Sequence, residues 1–477
     1  MELVATTSES LTSAARRLAA PVILLATTAT ILLVQTRQPA LVSSMLALLL
    51  AGLLGYVARR HVVGATALGL VVIGAVPQYA GRYAGGTNFG ITPALVVALV
   101  LLPAALEQLP RARFVPMDVA VGAFWLLRFF STLLNFDNKI GSTLGPAVYL
   151  ATAYGAFRLL VLRGDVVRAA TTAVVTTGAG LGLFAVFEHA GAGNIFFRLP
   201  STGFVYKDFA QEQLRFGEVR AEASFGHSIA LGMFLALAMV LTVALAIEKR
   251  DVLTRAALVA AGGLILVGTL DTLSRGAILT LGIGLALWFL RESGRMRLST
   301  LTGLVLVAGA VIVLTPLRST VSELVNSSES ASSLEQASTQ HRYVILDLVT
   351  DPAQFTLLGH QSSGAGGVTD QLEARTGLNS FDDAYALVYL ANGLLTVVAF
   401  LGVGVIAFCT LVAPGLTALE RAWVAALCAA AINLFTVNLL TQYQDFFWVA
   451  AAVSAGAWQR TRRTRGARNR ELVRSHS

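Results

Sequence analysis

Cysteine is nearly missing. The 477 residues hold 2 of them, Cys409 and Cys428, and each falls in a hydrophobic run, so neither a disulfide framework nor a cysteine-based metal site is available. Charge is also scarce. Charged residues make up 13% against 55% hydrophobic, too little polar surface to cover the apolar mass of a water-soluble globule. The net charge is +8, yet no aromatic-interleaved basic patch or binding module accompanies it, which argues against a nucleic-acid partner. No small-residue cleavage site follows the first apolar run behind Arg16 and Arg17, so that run reads as a retained helix and not a removed signal peptide. No internal repeat is visible, which counts weakly against secondary transporters built on inverted repeats.

Long apolar runs are what the chain has in quantity. A helix needs roughly 17 to 25 mostly apolar residues to cross the hydrocarbon core. Such runs centre on 18–35, 41–58, 62–79, 89–106, 116–134, 144–162, 166–187, 228–247, 256–270, 275–290, 298–317, 384–409, 421–440 and 444–458. The expected fold is an all-α, polytopic transmembrane helical bundle of about fourteen spans. N-terminal transmembrane helices occupy 1–187, a first external loop 188–226, and central transmembrane helices 227–317. A large, partly helical external loop follows at 318–383, then C-terminal transmembrane helices at 384–458 and a basic tail at 459–477.

Orientation follows from lysine and arginine, which stay on the cytoplasmic side during insertion. With the N-terminus inside, the inner segments hold Arg16, Arg17, Arg59, Arg60, Arg111, Arg113, Arg163, Arg168, Lys249, Arg250, Arg255, Arg291, Arg295, Arg297, Arg421 and the run from Arg460 to Arg474. The short outer turns hold only Arg37, Arg82, Lys139 and Arg275. Both termini are therefore expected inside and both long loops outside, in a cell membrane. The terminal basic run reads as a stop-transfer signal and a contact for anionic membrane lipids.

The outer face carries the residues with chemical interest. In the first loop, Gln213-Leu-Arg-Phe-Gly-Glu-Val-Arg220-Ala-Glu-Ala-Ser-Phe-Gly-His227 alternates charge and then turns the chain back into an apolar run. Arg220 is either an anion-binding group or a snorkelling arginine paired to Glu218 or Glu222. The Leu-Ser-Arg275-Gly turn between two spans is too short to leave the interface, so its guanidinium is a functional candidate, with Asp271 as an ion-pair partner in the plain alternative. Arg128, in Phe-Trp-Leu-Leu-Arg-Phe-Phe, raises the same question inside a span.

The second loop is organised. Ser332 and Glu335 have capping-box spacing, and Leu334, Ala337, Val344, Ile345 and Leu348 share one helical face until Asp351-Pro352 ends it. This predicts an amphipathic helix on the membrane surface with Arg342 near its polar boundary. A flexible Leu-Leu-Gly359-His360-Gln-Ser-Ser-Gly stretch follows. Phe381-Asp382-Asp383-Ala-Tyr385 then leads into the next span, where the carboxylates either cap the helix or accept a proton or hydrogen bond from a substrate hydroxyl.

Together these segments resemble the O-antigen ligase and polymerase superfamily of membrane glycosyltransferases, over roughly residues 215 to 410. Arg220-Ala-Glu-Ala-Ser-Phe-Gly-His227 is similar to the family's Arg-x-x-Gly-Thr-Phe-Gly-Asn-Pro-Asn segment, with Ala223, Ser228 and Ile229 in place of its Gly, Pro and second Asn. Ser274-Arg275-Gly276 matches its Ser-Arg-Gly turn. Arg342 followed by Pro352 and Leu357-Leu-Gly359 resembles its Arg to Pro-Leu-Leu-Gly-Val-Gly stretch, with Gln361 where the second Gly is usual. Asp382-Asp383-Ala-Tyr385 falls in register with His-Asn-x-Tyr-Leu, and Gly393 with the Gly that follows it. Asp in place of His departs from the ligase pattern and leans toward polymerase-like members.

The resemblance implies an inverting glycosyl transfer from a polyprenyl-diphosphate-linked oligosaccharide, with no metal, nucleotide or other cofactor. Arg220, Arg275 and Arg342 would hold the departing diphosphate through planar, permanently charged donors, with His227 and His360 as further substrate contacts. Asp382, or else Asp383, would orient or deprotonate the acceptor hydroxyl. Nearby arginines are expected to depress that carboxylate's pKa and favour positioning over base catalysis. A polymerase of lipid-linked repeat units is the first reading, with a flippase and a chain-length regulator as candidate partners. A ligase or oligosaccharyltransferase acting on a lipid, wall polymer or protein is the second, and a transporter or flippase the third.

Overall fold

The computed structural model describes residues 54–78, 82–83, 90–134, 152–198, 213–215, 217–249, 251–292, 343–359, 372, 375 and 383–476. Within them the chain is almost entirely helical: α1 Val62–Ala75, α2 Pro93–Leu106, α3 Pro116–Leu134, α4 Gly164–Phe187, α5 Ser228–Glu248, α6 Val252–Asp271, α7 Arg275–Glu292, α8 Ala384–Asn392, α9 Leu394–Val412, α10 Ala418–Asn433 and α11 Tyr443–His476. Strand is confined to two short hairpins, β1 Arg82–Tyr83 with β2 Gly90–Ile91, and β3 Leu214–Arg215 with β4 Glu218–Val219. Among the described residues, five helices are long and apolar enough to cross a membrane: α3, α4 with its extension to Ala192, α5, α6 and α9. The expected spans at 18–35 and 298–317 lie outside the described residues.

Helix α5 is apolar all round, so no face of it favours water, and it forms the axis of the bundle. Its most apolar window is 89% buried, against 28% for α6, whose outward side chains such as Val259 stay exposed. Helices α4, α6, α7, α10 and α11 pack around α5. Where α4 crosses α6, Gly182 meets the backbone of Leu264 and Ile265, and Gly268 meets Gly182. A Cβ at either position would collide, and small residues at such crossings permit the close approach that drives helix association in lipid.

One expected span is interrupted. The run 384–409 forms a nine-residue helix α8, then a break at Gly393 (φ 86°), then α9. The 356–359 segment of the second loop fills the break. Leu394 N–H donates to the Thr356 carbonyl at 3.0 Å and Leu395 N–H to Leu357 at 3.2 Å, so the orphan donors of the new helix start are satisfied. Gly359 (φ 81°) abuts the Ala391–Asn392 backbone, and Gly393 abuts Leu357 and Gly359, leaving no room for a side chain at either position. Helical residues 343–350 then lie on α8, with Ile345 and Leu348 buried against Leu372, Ala386 and Leu390. Val344, Ile345 and Leu348 occupy the predicted apolar face, and the helix stops before Pro352, but α8 covers that face.

The bundle has two unlike ends. At one, ion pairs tie helices together. Arg158 Nε donates to Asp118 Oδ1 at 2.7 Å, Arg460 Nε donates to Glu420 Oε1 at 2.7 Å, and Arg421, Arg168 and Arg59 pair with Glu292, Glu248 and Glu107. Thr417 and Glu420 complete a capping box on α10. The other end gathers segments 74–78, 188–198, 213–228, 271–276, 356–359, 383–384 and 433–442, through bonds such as Ser224 Oγ to the Gly74 carbonyl (2.6 Å) and Gln442 Nε2 to the Val76 and Ser224 carbonyls (3.1 and 2.8 Å).

Candidate active site at the loop end

The first loop is anchored by the end of α4. Beyond Phe187 the chain widens into a π-turn, Glu188–Ala192, whose Gly191 takes φ 90°. The buried Glu188 carboxylate accepts from the backbone N–H groups of Glu222 (3.1 Å) and Ala223 (2.8 Å), fixing the returning chain. His189 Nδ1 lies 2.6 Å from the Val219 carbonyl, so that nitrogen carries the proton. A 3-10 turn at Ala223–Phe225 and a left-handed Gly226 (φ 60°) then reverse the chain into α5, as the Ser-Phe-Gly-His run predicts.

Arginines from this loop converge on the α6–α7 turn. Arg220 N–H donates to the Gln213 carbonyl at 2.9 Å, and its Nε to the Thr272 carbonyl at 3.1 Å. Arg215 Nη1 donates to the Leu273 carbonyl at 2.8 Å, and Ala221 N–H to the Asp271 carbonyl at 3.0 Å. Leu273 adopts φ 49°, a left-handed conformation costing about 1–2 kcal/mol, and burial of its side chain compensates. The turn ends at Ser274, whose Oγ accepts from Ala277 N–H at 3.4 Å, and the exposed Arg275 opens α7. Asp271 is buried and makes no ion pair with Arg275 among the described residues.

His227 sits beside this cluster as the N-cap of α5, its Nδ1 accepting from Ile229 N–H at 3.2 Å. Burial, reinforced by the Arg220 charge, pushes its pKa down to about 4. The imidazole is therefore neutral near pH 7, with its other nitrogen left as an N–H donor.

Asp383 caps α8, accepting from Ala386 N–H at 2.9 Å. The cap reading of this residue is correct in geometry. The same residue lines a cavity of about 540 Å³ walled by Ile345, Leu346, Val349, Tyr385, Tyr389, Val397, Leu401 and Phe435, with Thr436 as its other small polar group. Burial raises the pKa of Asp383, and the backbone donors of Ala386 and Tyr385 oppose the rise without cancelling it. Desolvation is the dominant influence on this carboxylate; Asp382, for which the depression by arginine is expected first, lies outside the described residues.

The 433–437 segment joins the two parts of the site. Ala384 N–H donates to the carbonyls of Leu434 and Val437 at 3.0 and 3.2 Å. On the other side Asn433 Nδ2 donates to the Gly276 carbonyl at 2.8 Å and to Thr280 Oγ1 at 2.8 Å. Arg220, His227 and the Arg275 turn thus belong to one cluster, connected through this segment to Asp383. Arg342, His360 and Asp382 lie outside the described residues.

Glu188, Gln213, Asn433 and Gln442 build this end without having been singled out in sequence. Asn433-Leu-Phe-Thr-Val-Asn438 and Thr441-Gln442 fall in or beside the expected 421–440 span, and that polar density signals a helix ending early. Helix α10 indeed stops at Asn433. Comparison with known proteins returns no matching family model and no significant match among curated proteins.

Proposed function

We propose that this chain is a membrane glycosyltransferase that polymerises polyprenyl-diphosphate-linked oligosaccharide repeat units on the outer face of the cell membrane. The observation that carries the reading is the convergence of Arg215, Arg220 and the Arg275 turn at the loop end, linked by the 433–437 segment to a carboxylate on an apolar cavity. Arginines around one turn supply planar donors for a diphosphate, whose developing charge must be held as its bond to the sugar breaks. The apolar walls suit an isoprenoid chain, and Asp383, with its raised pKa, suits a group that accepts a proton from the attacking hydroxyl. In this reading about fourteen spans cross the bilayer, both termini are cytoplasmic, and Arg342, His360 and Asp382 complete the site.

A single observation favours the transport alternative: Arg128 lies well inside a candidate span, where transporters place ionisable groups. One experiment separates the readings. The purified chain in lipid vesicles is given a polyprenyl-diphosphate oligosaccharide, and the glycan products are resolved on a gel. A ladder that disappears in Arg275→Ala supports the polymerase. A single adduct to an added acceptor supports the ligase alternative. Intact donor recovered from the opposite leaflet supports transport.

A further inference from the structure

Arg128 is the residue that the loop-end site leaves unexplained. Helix α3 runs from Pro116 to Leu134, so its midpoint is Trp125, and Arg128 stands about 9 Å from its C-terminal end at 1.5 Å per residue. A snorkelling arginine would reach toward that end. Side chains on a helix instead lean toward its N-terminus, and Arg128 does so, its guanidinium carbon lying 5.5 Å from the centre of the Trp125 ring. The charge is thereby carried deeper, to the middle of the span. Among the described residues no carboxylate pairs with it, and its one recorded side-chain contact is this cation–π pair.

Among the described residues the surroundings add two unsatisfied donors, and the nearby Ser131 hydroxyl is engaged, accepting from Asn392 Nδ2 at 3.4 Å. Trp125 is 7% exposed, and its buried indole N–H has no acceptor. Trp448 packs 5.6 Å from it, ring to ring, and its buried indole N–H has none either. One turn along α3, Ser131 Oγ already donates to the Ala391 carbonyl at 3.4 Å. A guanidinium and two unsatisfied indole N–H groups thus stand close together in apolar surroundings with no negative charge beside them among the described residues. A cation costs several kcal/mol at this depth unless a counter-charge is present, and the missing partner is an oxyanion.

We propose that Arg128 and Trp125 form an oxyanion-binding site within the α3 span, built from residues other than those of the Arg220–His227 cluster, that takes a phosphate group. The phosphate is carried by a lipid or is free in solution, and the chemistry of recognition is the same. This inference does not rest on the glycosyltransferase reading.

The test uses the full chain purified in detergent. Dioleoyl phosphatidic acid and inorganic phosphate are the two probes, and affinity and ligand-induced thermal stabilisation are measured for wild type, Arg128→Gln, Arg128→Lys and Trp125→Phe. Loss of a charge-assisted contact is expected to weaken binding at least about tenfold in Arg128→Gln. Arg128→Lys should recover much of it, and Trp125→Phe, which keeps an aromatic face but removes the N–H, should show an intermediate loss. Dependence on Arg128 for phosphatidic acid alone identifies a lipid-borne phosphate, and the same dependence for both probes identifies the free anion. Equal affinity for both probes in wild type, Arg128→Gln and Trp125→Phe overturns the proposal. If Arg128→Gln does not fold, unchanged binding of both probes in Trp125→Phe overturns the proposal, as does the absence of binding of either probe by wild type.

Discussion

The two ends of the bundle use arginine in opposite ways. At the ion-paired end, Arg158, Arg421 and Arg460 meet carboxylates from other helices, and Gln459 and the Arg113 carbonyl fill in around Arg158. Each pair crosses from one helix to another, so charge there fixes packing. At the loop end, Arg215 and Arg220 bond the carbonyls of Leu273 and Thr272, and the neighbouring acid Glu188 spends its carboxylate on backbone N–H groups. Arginine at that end shapes a turn. The first arrangement joins helix to helix, and the second joins a loop to a turn.

The sharpest way to break this comparison is to remove one member of each kind. Asp118→Asn leaves Arg158 buried at 5% exposure without its counter-charge. A loss of roughly 3–5 kcal/mol is expected for breaking such a pair, read as a large fall in thermal midpoint or as failure to recover folded protein. Arg275→Ala, at an exposed helix start, should leave the midpoint within about 2 °C while transfer falls about a hundredfold or more. If Arg275→Ala destabilises as much as Asp118→Asn, the distinction between the ends is lost.

A second test concerns the plug in the broken helix. Gly359→Ala places a Cβ against the Ala391–Asn392 backbone at a residue with φ 81°. The expected cost is about 2 kcal/mol or more from strain and displacement, with the 343–359 segment released from α8. Faster proteolytic cleavage within that segment, with the helices on either side still protected, is the expected signature. Cleavage no faster than in wild type would mean that the loop is held mainly by Ile345 and Leu348.

A third prediction follows from His227. Its folded pKa of about 4 lies below the ordinary value near 6.5, so the unfolded chain binds more protons between those limits. Stability is then fully present above about pH 6.5 and falls as pH drops toward 4, by about 3 kcal/mol in all. His227→Asn keeps a capping side chain and should flatten this part of the stability profile. An unchanged slope in that variant would assign the acid sensitivity to another group.

Sequence made the bundle legible where one physical rule dominates. The apolar runs at 116–134, 228–247 and 275–290 coincide with α3, α5 and α7 to within a residue or two, because hydrocarbon length and hydropathy decide those boundaries. The apolar face Val344, Ile345 and Leu348 was legible for the same reason. The break at Gly393 was hidden because the flanking residues are as apolar as those of any continuous span, and the cause lies in a loop more than thirty residues earlier in the chain. In the site, Arg220 and Arg275 could be named as separate residues from local sequence. The bond from Arg220 to the Thr272 carbonyl in the turn before Arg275 could not be read, nor could the role of Glu188, since both depend on which loops share an end. The upward pKa shift of Asp383 was not legible, because its burial beside the 343–350 helix and Phe435 is a tertiary fact that residue spacing does not carry.

The smallest expected change in stability gives the cleanest test of chemistry. Asp383 both caps α8 and lines the cavity, and these roles make different demands on the side chain. Capping needs only an oxygen that accepts from Ala386 N–H, which asparagine and serine supply as well as aspartate does. Asp383→Asn and Asp383→Ser should therefore change stability by less than about 0.5 kcal/mol, whereas Asp383→Ala should cost about 1 kcal/mol. Accepting a proton needs the carboxylate itself, so the asparagine variant should lose about a hundredfold or more in transfer despite its intact helix. The wild-type rate should also fall on its acid side at a pH above the ordinary carboxylate range, because burial raises this group's pKa. An Asp383→Asn protein with wild-type transfer would reduce Asp383 to a helix cap and shift the search for the base to Asp382.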